Sequence, residues 1–168
     1  MASPSLPGND SERGSGYGSG RLGLVGPGNQ FRFSFIDHPE SNSVVPDVDF
    51  IPNHELAKYD PDADIQTDVI PSLVVEILSP STRHDDLGSK KEFYRQAGVE
   101  EYWVIDIESR QPKEQKVMKF RLQEEPDRPV ETIPFTGSLT SLLFPGFALD
   151  LENASRELSL SYGKGWKR

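Results

Sequence analysis

Residues 72–107 read SLVVEILSPSTRHDDLGSKKEFYRQAGVEEYWVIDI, and the fold is decided here. Leu73, Val74 and Val75, continued by Ile77 and Leu78, make an apolar run of strand length. A helical pattern follows. Asp85 or Asp86 is placed to cap a helix running to about Ala97, and Gly98 is its C-terminal stop. EYWVIDI, rich in aromatic and β-branched residues, is the next strand. Strand, helix and strand in this order predict a βαβ crossover with parallel pairing. Glu76 interrupts the first strand. A buried, unpaired carboxylate is costly, so it neutralises or finds a partner.

The helix offers that partner. Around Lys90, the positions i−3, i+3, i+4 and i+7 hold Leu87, Phe93, Tyr94 and Ala97, which share one helix face. Lys90 therefore lies within the apolar stripe, and Lys91 looks outward. Lys90 either reaches Glu76 at the strand's C-terminal end or snorkels from the edge of the stripe.

Outward from this stretch, VVPDVDFI at residues 44–51 reads as a strand carrying Asp47 and Asp49 on one face. Aspartate is disfavoured in strand interiors, so this is either an edge strand with solvated aspartates or a site. One Asp, one Glu and a nearby Lys form a coherent chemical set. Two carboxylates can hold Mg²⁺, which takes oxygen ligands. The metal can lower the pKa of a bound water and stabilise charge on a phosphodiester, and the lysine can orient that water or neutralise the transition state.

FRFSFI alternates Phe31, Phe33 and Phe35 as a half-buried strand does, and a turn is expected over residues 37–43. NHELAKY suggests one or two helical turns capped by Asn53. QKVMKFRLQ is a further alternating strand, and FPGFALDL a closing turn and short strand. Residues 1–28 hold eight of the fourteen glycines and read as a low-complexity tail. A single domain then spans 29–155, with a polar C-terminal tail over 156–168. The architecture expected is α/β, with a mixed central β-sheet flanked by helices.

Composition narrows the function. The chain has 168 residues, 35% hydrophobic, with no cysteine, so neither disulfides nor thiolate metal sites are available. No apolar stretch reaches the roughly 20 residues of a membrane span, and no signal-peptide pattern opens the chain. A soluble, cytoplasmic protein is the default expectation. Ten acidic residues against one basic, Lys58, lie over residues 36–76, so this segment alone accounts for the net charge of −9. That balance argues against a passive nucleic-acid binder but not against an enzyme whose carboxylates hold a cation.

Other signatures fail. GSGRLG at residues 18–23 matches a dinucleotide loop, but no strand precedes it and no helical pattern follows. Asp60, Asp62 and Asp64 imitate a calcium loop, but its sixth position holds Ile65 and its twelfth Pro71. His38, His54 and His84 have no metal-ligand spacing. His84, near Asp86, is read as a surface loop residue, although it could touch a phosphate.

VVPDVDFI, the strand ending in Glu-x-Leu-Ser-Pro-Ser, Asp86, Lys90 and Tyr94 at four-residue steps, the strand around Tyr102, Trp103 and Asp106, and SLLFPGFALDL together resemble the Uma-type putative restriction endonuclease family. These are bacterial proteins of the PD-(D/E)XK nuclease superfamily, and the resemblance runs from about Val44 to Leu151. It implies a restriction-endonuclease-like fold and a metal-dependent endonuclease hydrolysing phosphodiester bonds in DNA. By position, Asp47 and Glu76 would be the metal-binding carboxylates, with the main-chain carbonyl of Ile77 near the metal. Lys90 would be the catalytic lysine. The superfamily's commonest pattern has a lysine two residues after the glutamate, where this chain has Leu78. The cofactor implied is Mg²⁺, with Mn²⁺ as a substitute. Asp86 would cap the helix or hold the lysine. The aromatic residues are expected to pack, and Asp106 to be a turn or surface residue. The family's N-terminal helix and acidic strand pair are not recognisable in residues 1–28, and Glu12 is not assigned their glutamate's role. A homodimer is among the expectations for an enzyme cutting both strands. The alternatives are a catalytically inactive nuclease fold that binds nucleic acid or protein, and a purely structural acidic domain.

Overall fold

The computed structural model describes residues 19–20, 22–37, 43–109, 111–154 and 156. Glu12, Gly18, His38 and the C-terminal residues 157–168 lie outside these. In chain order the elements are β1 (Ser19–Gly20), β2 (Gly23–Gly26), β3 (Phe31–Arg32), β4 (Val48–Pro52), β5 (Gln66–Thr67), β6 (Leu73–Ile77), α1 (Arg83–Leu87), α2 (Ser89–Ala97), β7 (Glu101–Asp106), β8 (Lys116–Arg121), β9 (Glu131–Pro134), β10 (Ser138–Thr140) and β11 (Ala148–Asp150).

The main sheet is mixed, in the order β1-β2-β4-β6-β7-β8-β9. Among the described residues only β6 and β7 pair in parallel there, from Leu73 opposite Glu101 to Ile77 opposite Ile105. The crossover between them carries α1 and α2, as the strand-helix-strand pattern predicts. The protein is α/β, with a mixed central sheet.

Both faces of β6 are covered, which is why it reads as a continuous apolar run. Leu73 and Val75 join Phe50, Trp103, Val117 and Leu151 on one side. Val74 points the other way, towards Tyr94, Tyr102, Val104 and Phe120. Period-two alternation puts Glu76 on the Val74 side, beneath the helices. Each fully buried apolar side chain here contributes about 1.5–3 kcal/mol.

Several elements differ from the sequence reading. Gly23–Gly26, placed above in the tail, is a strand paired with β4, Gly23 opposite Pro52. A Cβ on Gly23 would lie only 2.1 Å from the Ile51 carbonyl oxygen, so this approach requires glycine. The Phe31 strand is two residues long; Phe31 and Phe33 are buried, but Phe35 turns out to solvent. Residues 53–58 form turns and not a helix.

The expected single helix is two. Asp85 and Asp86 lie within α1, so neither caps it; Thr82 is the N-cap residue, without a side-chain cap bond. The hydroxyls of Ser79 and Thr82 lie 2.9 Å apart and tie the preceding turn. Gly88 separates the helices, and there a Cβ would sit 2.8 Å from the His84 carbonyl oxygen. Gly98 ends α2 at φ 97°, the left-handed stop that its position predicts.

Candidate active site

The βαβ crossover sets the site at the C-terminal end of β6. Phe93, Tyr94 and Ala97 of α2 are buried, so this face packs on the sheet and carries Lys90 inward. Lys90 Nζ lies 3.1 Å from Glu76 Oε2 and 2.8 Å from Asp86 Oδ1. The Tyr94 hydroxyl donates to Glu76 Oε1 at 3.0 Å. Asp86, Lys90 and Tyr94 thus form a ladder at four-residue steps, two of whose side chains grip Glu76. The Tyr102 hydroxyl donates to the main-chain carbonyl of Asp86 at 2.7 Å and fixes α1 against β7. Sequence reasoning assigned both tyrosines to packing. They do pack, but buried hydroxyls also need partners, and this signal was available.

Asp47 stands one residue before β4. Its Oδ2 accepts the Ile77 N–H at 2.6 Å. Val48 pairs with Val75 and Asp49 with Val74, so one further step of the register sets Asp47 beside Glu76. Asp49 is buried, and Asn29 Nδ2 donates to both its oxygens at 3.0 Å. Asn29 had no sequence signal, because nothing local marks a residue that pairs 20 positions away.

The electrostatics are those of an acidic cluster with too few cations. Glu76 and Asp86 are 2% and 1% exposed, and Lys90 is the cation between them. Burial pushes the Glu76 carboxyl up to about 7, and the Lys90 charge offsets this only in part. Burial likewise pushes Asp49 up to about 7 against the Asn29 hydrogen bond. For Lys90, burial disfavours the charge, but the Asp86 and Glu76 carboxylates outweigh it and raise its pKa. Lys90 is therefore an ammonium at neutral pH. Tyr94, raised well above the usual phenol by burial and the Glu76 charge, keeps its proton.

The donor set fits a hard divalent cation. Asp47, Glu76 and the Ile77 carbonyl offer oxygen alone. Asp86 Oδ1 faces the Lys90 ammonium, and among the described residues Asp86 Oδ2 is a buried oxygen with no hydrogen-bond partner. Among the same residues no three His, Cys, Asp or Glu side chains gather as a metal-holding group, so such a site rests on two carboxylates and a carbonyl.

The remaining sequence candidates lie apart from this ladder. His54 and His84 are exposed. Asp106 is buried and not a surface residue: Arg83 reaches it at 3.1 Å and Glu108 at 2.9 Å, locking α1 to the end of β7. Glu101 is a structural carboxylate, accepting from Trp103 Nε1, the Ser141 hydroxyl and the Leu142 N–H. An apolar groove of about 480 Å³, bordered by Leu22, Val25, Trp103 and Phe147, lies on the opposite face of the sheet. It holds none of the Glu76, Lys90 and Asp86 chemistry. No helix among the described residues is long and apolar enough to cross a membrane.

Comparison with known proteins bears on the fold and the family. No curated protein matches the chain. Among solved structures, a crystal structure described as a "putative nuclease belonging to DUF820", from Anabaena variabilis ATCC 29413, superposes with a TM-score of 0.57. It is 20% identical, over 79% of this chain and 68% of that one, and shares the fold. The Uma2 family, described as "Putative restriction endonuclease", matches residues 17–152, including β1 and β2 as well as every residue of the site. The chain belongs to the Uma2 family.

Proposed function

We propose that this protein is a Mg²⁺-dependent DNA endonuclease that hydrolyses phosphodiester bonds, with Mn²⁺ able to substitute. The observation carrying this reading is the convergence of Asp47, Glu76 and Lys90 at the end of β6. Asp47, Glu76 and the Ile77 carbonyl would hold the cation. When bound, it supplies Lewis-acid stabilisation of phosphate charge and lowers the pKa of water. Lys90, being protonated, cannot serve as a base. It orients the attacking water or a phosphate oxygen by donating hydrogen bonds and opposes the negative charge that develops. Tyr94 fixes the Glu76 carboxylate. A cation also suits an acidic protein that must approach DNA, since the net charge is −9.

The test is cleavage of supercoiled and linear DNA with Mg²⁺, with Mn²⁺ and with EDTA. Metal-dependent cutting, lost in Glu76→Ala and Lys90→Ala, is expected. Cutting that survives EDTA or either substitution overturns the assignment. A second reading, a nuclease fold that binds nucleic acid or protein without cutting, draws on one observation. Both Glu76 oxygens are already engaged, by Lys90 and Tyr94. DNA retention without cleavage under all metal conditions would favour it.

A further inference from the structure

Lys90 presents a difficulty for the proposed site. Its ammonium lies 3.1 Å from an oxygen of Glu76 that a divalent cation would need. A divalent cation on that oxygen would repel the ammonium beside it and compete for the same lone pairs. Lys90 must therefore give way without leaving the site, where its charge is wanted. Asp86 is suited to receive it. It lies one turn before Lys90, with Oδ1 2.8 Å from Nζ and the side chain 1% exposed. Oδ1 already faces the ammonium, and Oδ2 has no hydrogen-bond partner among the described residues, so Asp86 keeps one acceptor oxygen free for the lysine. Its backbone cannot retreat, since the Tyr102 hydroxyl holds its carbonyl and Arg83 ties α1 to Asp106.

We infer that Asp86 is a positioning residue that takes over the Lys90 ammonium when a divalent cation occupies Glu76, keeping the lysine in the site while freeing the carboxylate. This rests on the cation reading above. Among the described residues Lys90 pairs with Glu76 and Asp86, so without Asp86 the lysine and the metal compete for Glu76. Asp86 itself does not ligate the metal.

Calorimetric titration with Mn²⁺ tests this through affinity, independently of cleavage. Five proteins are compared: wild type, Asp86→Asn, Asp86→Glu, Lys90→Met and the double variant Asp86→Asn/Lys90→Met. Asp86→Asn should weaken Mn²⁺ binding about tenfold, and the same change in the Lys90→Met background about twofold or less, a coupling that a double-mutant cycle isolates. Lys90→Met alone should bind more tightly than wild type. Asp86→Glu, which keeps the charge, should stay within about threefold of wild type. If Asp86→Asn does not fold, the Lys90→Met and Asp86→Glu results carry the test. Equal weakening in both backgrounds would make Asp86 a ligand and overturn the inference, as would unchanged affinity in Asp86→Asn or no tightening in Lys90→Met. No Mn²⁺ binding by the wild type, or binding undiminished in Glu76→Ala, overturns the cation site itself and the inference with it.

Discussion

The Lys90 ammonium lies 3.1 Å from Glu76 Oε2, across 14 residues of chain, because α2 turns its apolar face back onto the strand that precedes it. Lys90 is also the cation that meets Asp86, so removing it leaves two buried carboxylates without it. Lys90→Met should destabilise the fold by about 3 kcal/mol near pH 8, since breaking a buried pair strands the remaining charge. The loss should shrink near pH 5, where Glu76, raised to about 7, is protonated. Urea unfolding of both proteins at the two pH values checks this. An equal loss at both would mean that Lys90 matters for packing and not for charge.

Asp49 gives the fold a pH dependence of definite sign. Its carboxyl is raised from 3.8 to about 7 by burial, so the folded state binds a proton that the unfolded state has released. Stability from this group is complete below about pH 3.8 and is lost as pH rises through about 7. Glu76 acts in the same direction from 4.5. The wild-type unfolding free energy should fall between about pH 5 and pH 8, by an amount on the order of 5 kcal/mol for the two groups together. Asp49→Asn should flatten part of that slope. A slope unchanged by the substitution would show Asp49 to be ionised throughout.

Tyr94→Phe separates the ring from its hydroxyl. The ring is fully buried beside Tyr102, and phenylalanine keeps that packing. What goes is the bond to Glu76 Oε1. A stability cost of about 1.5–3 kcal/mol is expected for a hydrogen bond to a charged group. DNA cleavage should fall with it, because the carboxylate loses one of its two anchors. Full activity in this variant would show that Lys90 alone orients Glu76.

Gly88→Ala probes the junction between α1 and α2. The added Cβ would meet the His84 carbonyl oxygen at 2.8 Å, so the two helices must shift apart. Asp86 and Lys90 lie on opposite sides of that junction. Cleavage should fall at least about tenfold, while the melting temperature drops by only a few degrees, as suits a displacement of catalytic geometry. A melting-temperature loss with normal specific activity would place the role of Gly88 in folding alone.

The βαβ crossover was legible in residues 72–107 because its signals are local. Apolar run, helical stripe, terminal glycine and aromatic strand all follow from side-chain periodicity. The inward direction of Lys90 was legible for the same reason, since helix geometry alone sets which face a residue shares. Gly23–Gly26 was not. Leu24 and Val25 between two glycines are too short a run to show a period; the strand forms by pairing with β4, and the Ile51 carbonyl leaves no room for a side chain at Gly23.

The sequence by itself determined the α/β class, the Glu76 strand, the helix face bearing Lys90 and the family resemblance. Only the tertiary structure decided that Asp86 lies inside α1 and meets Lys90, that Tyr94 holds Glu76, that Asn29 serves Asp49 and that Asp106 is sealed by Arg83. The division has one physical cause. Periodicity reports which way a residue faces within its own element. The identity of its partner depends on strand register and helix placement, which are set by packing the whole sheet.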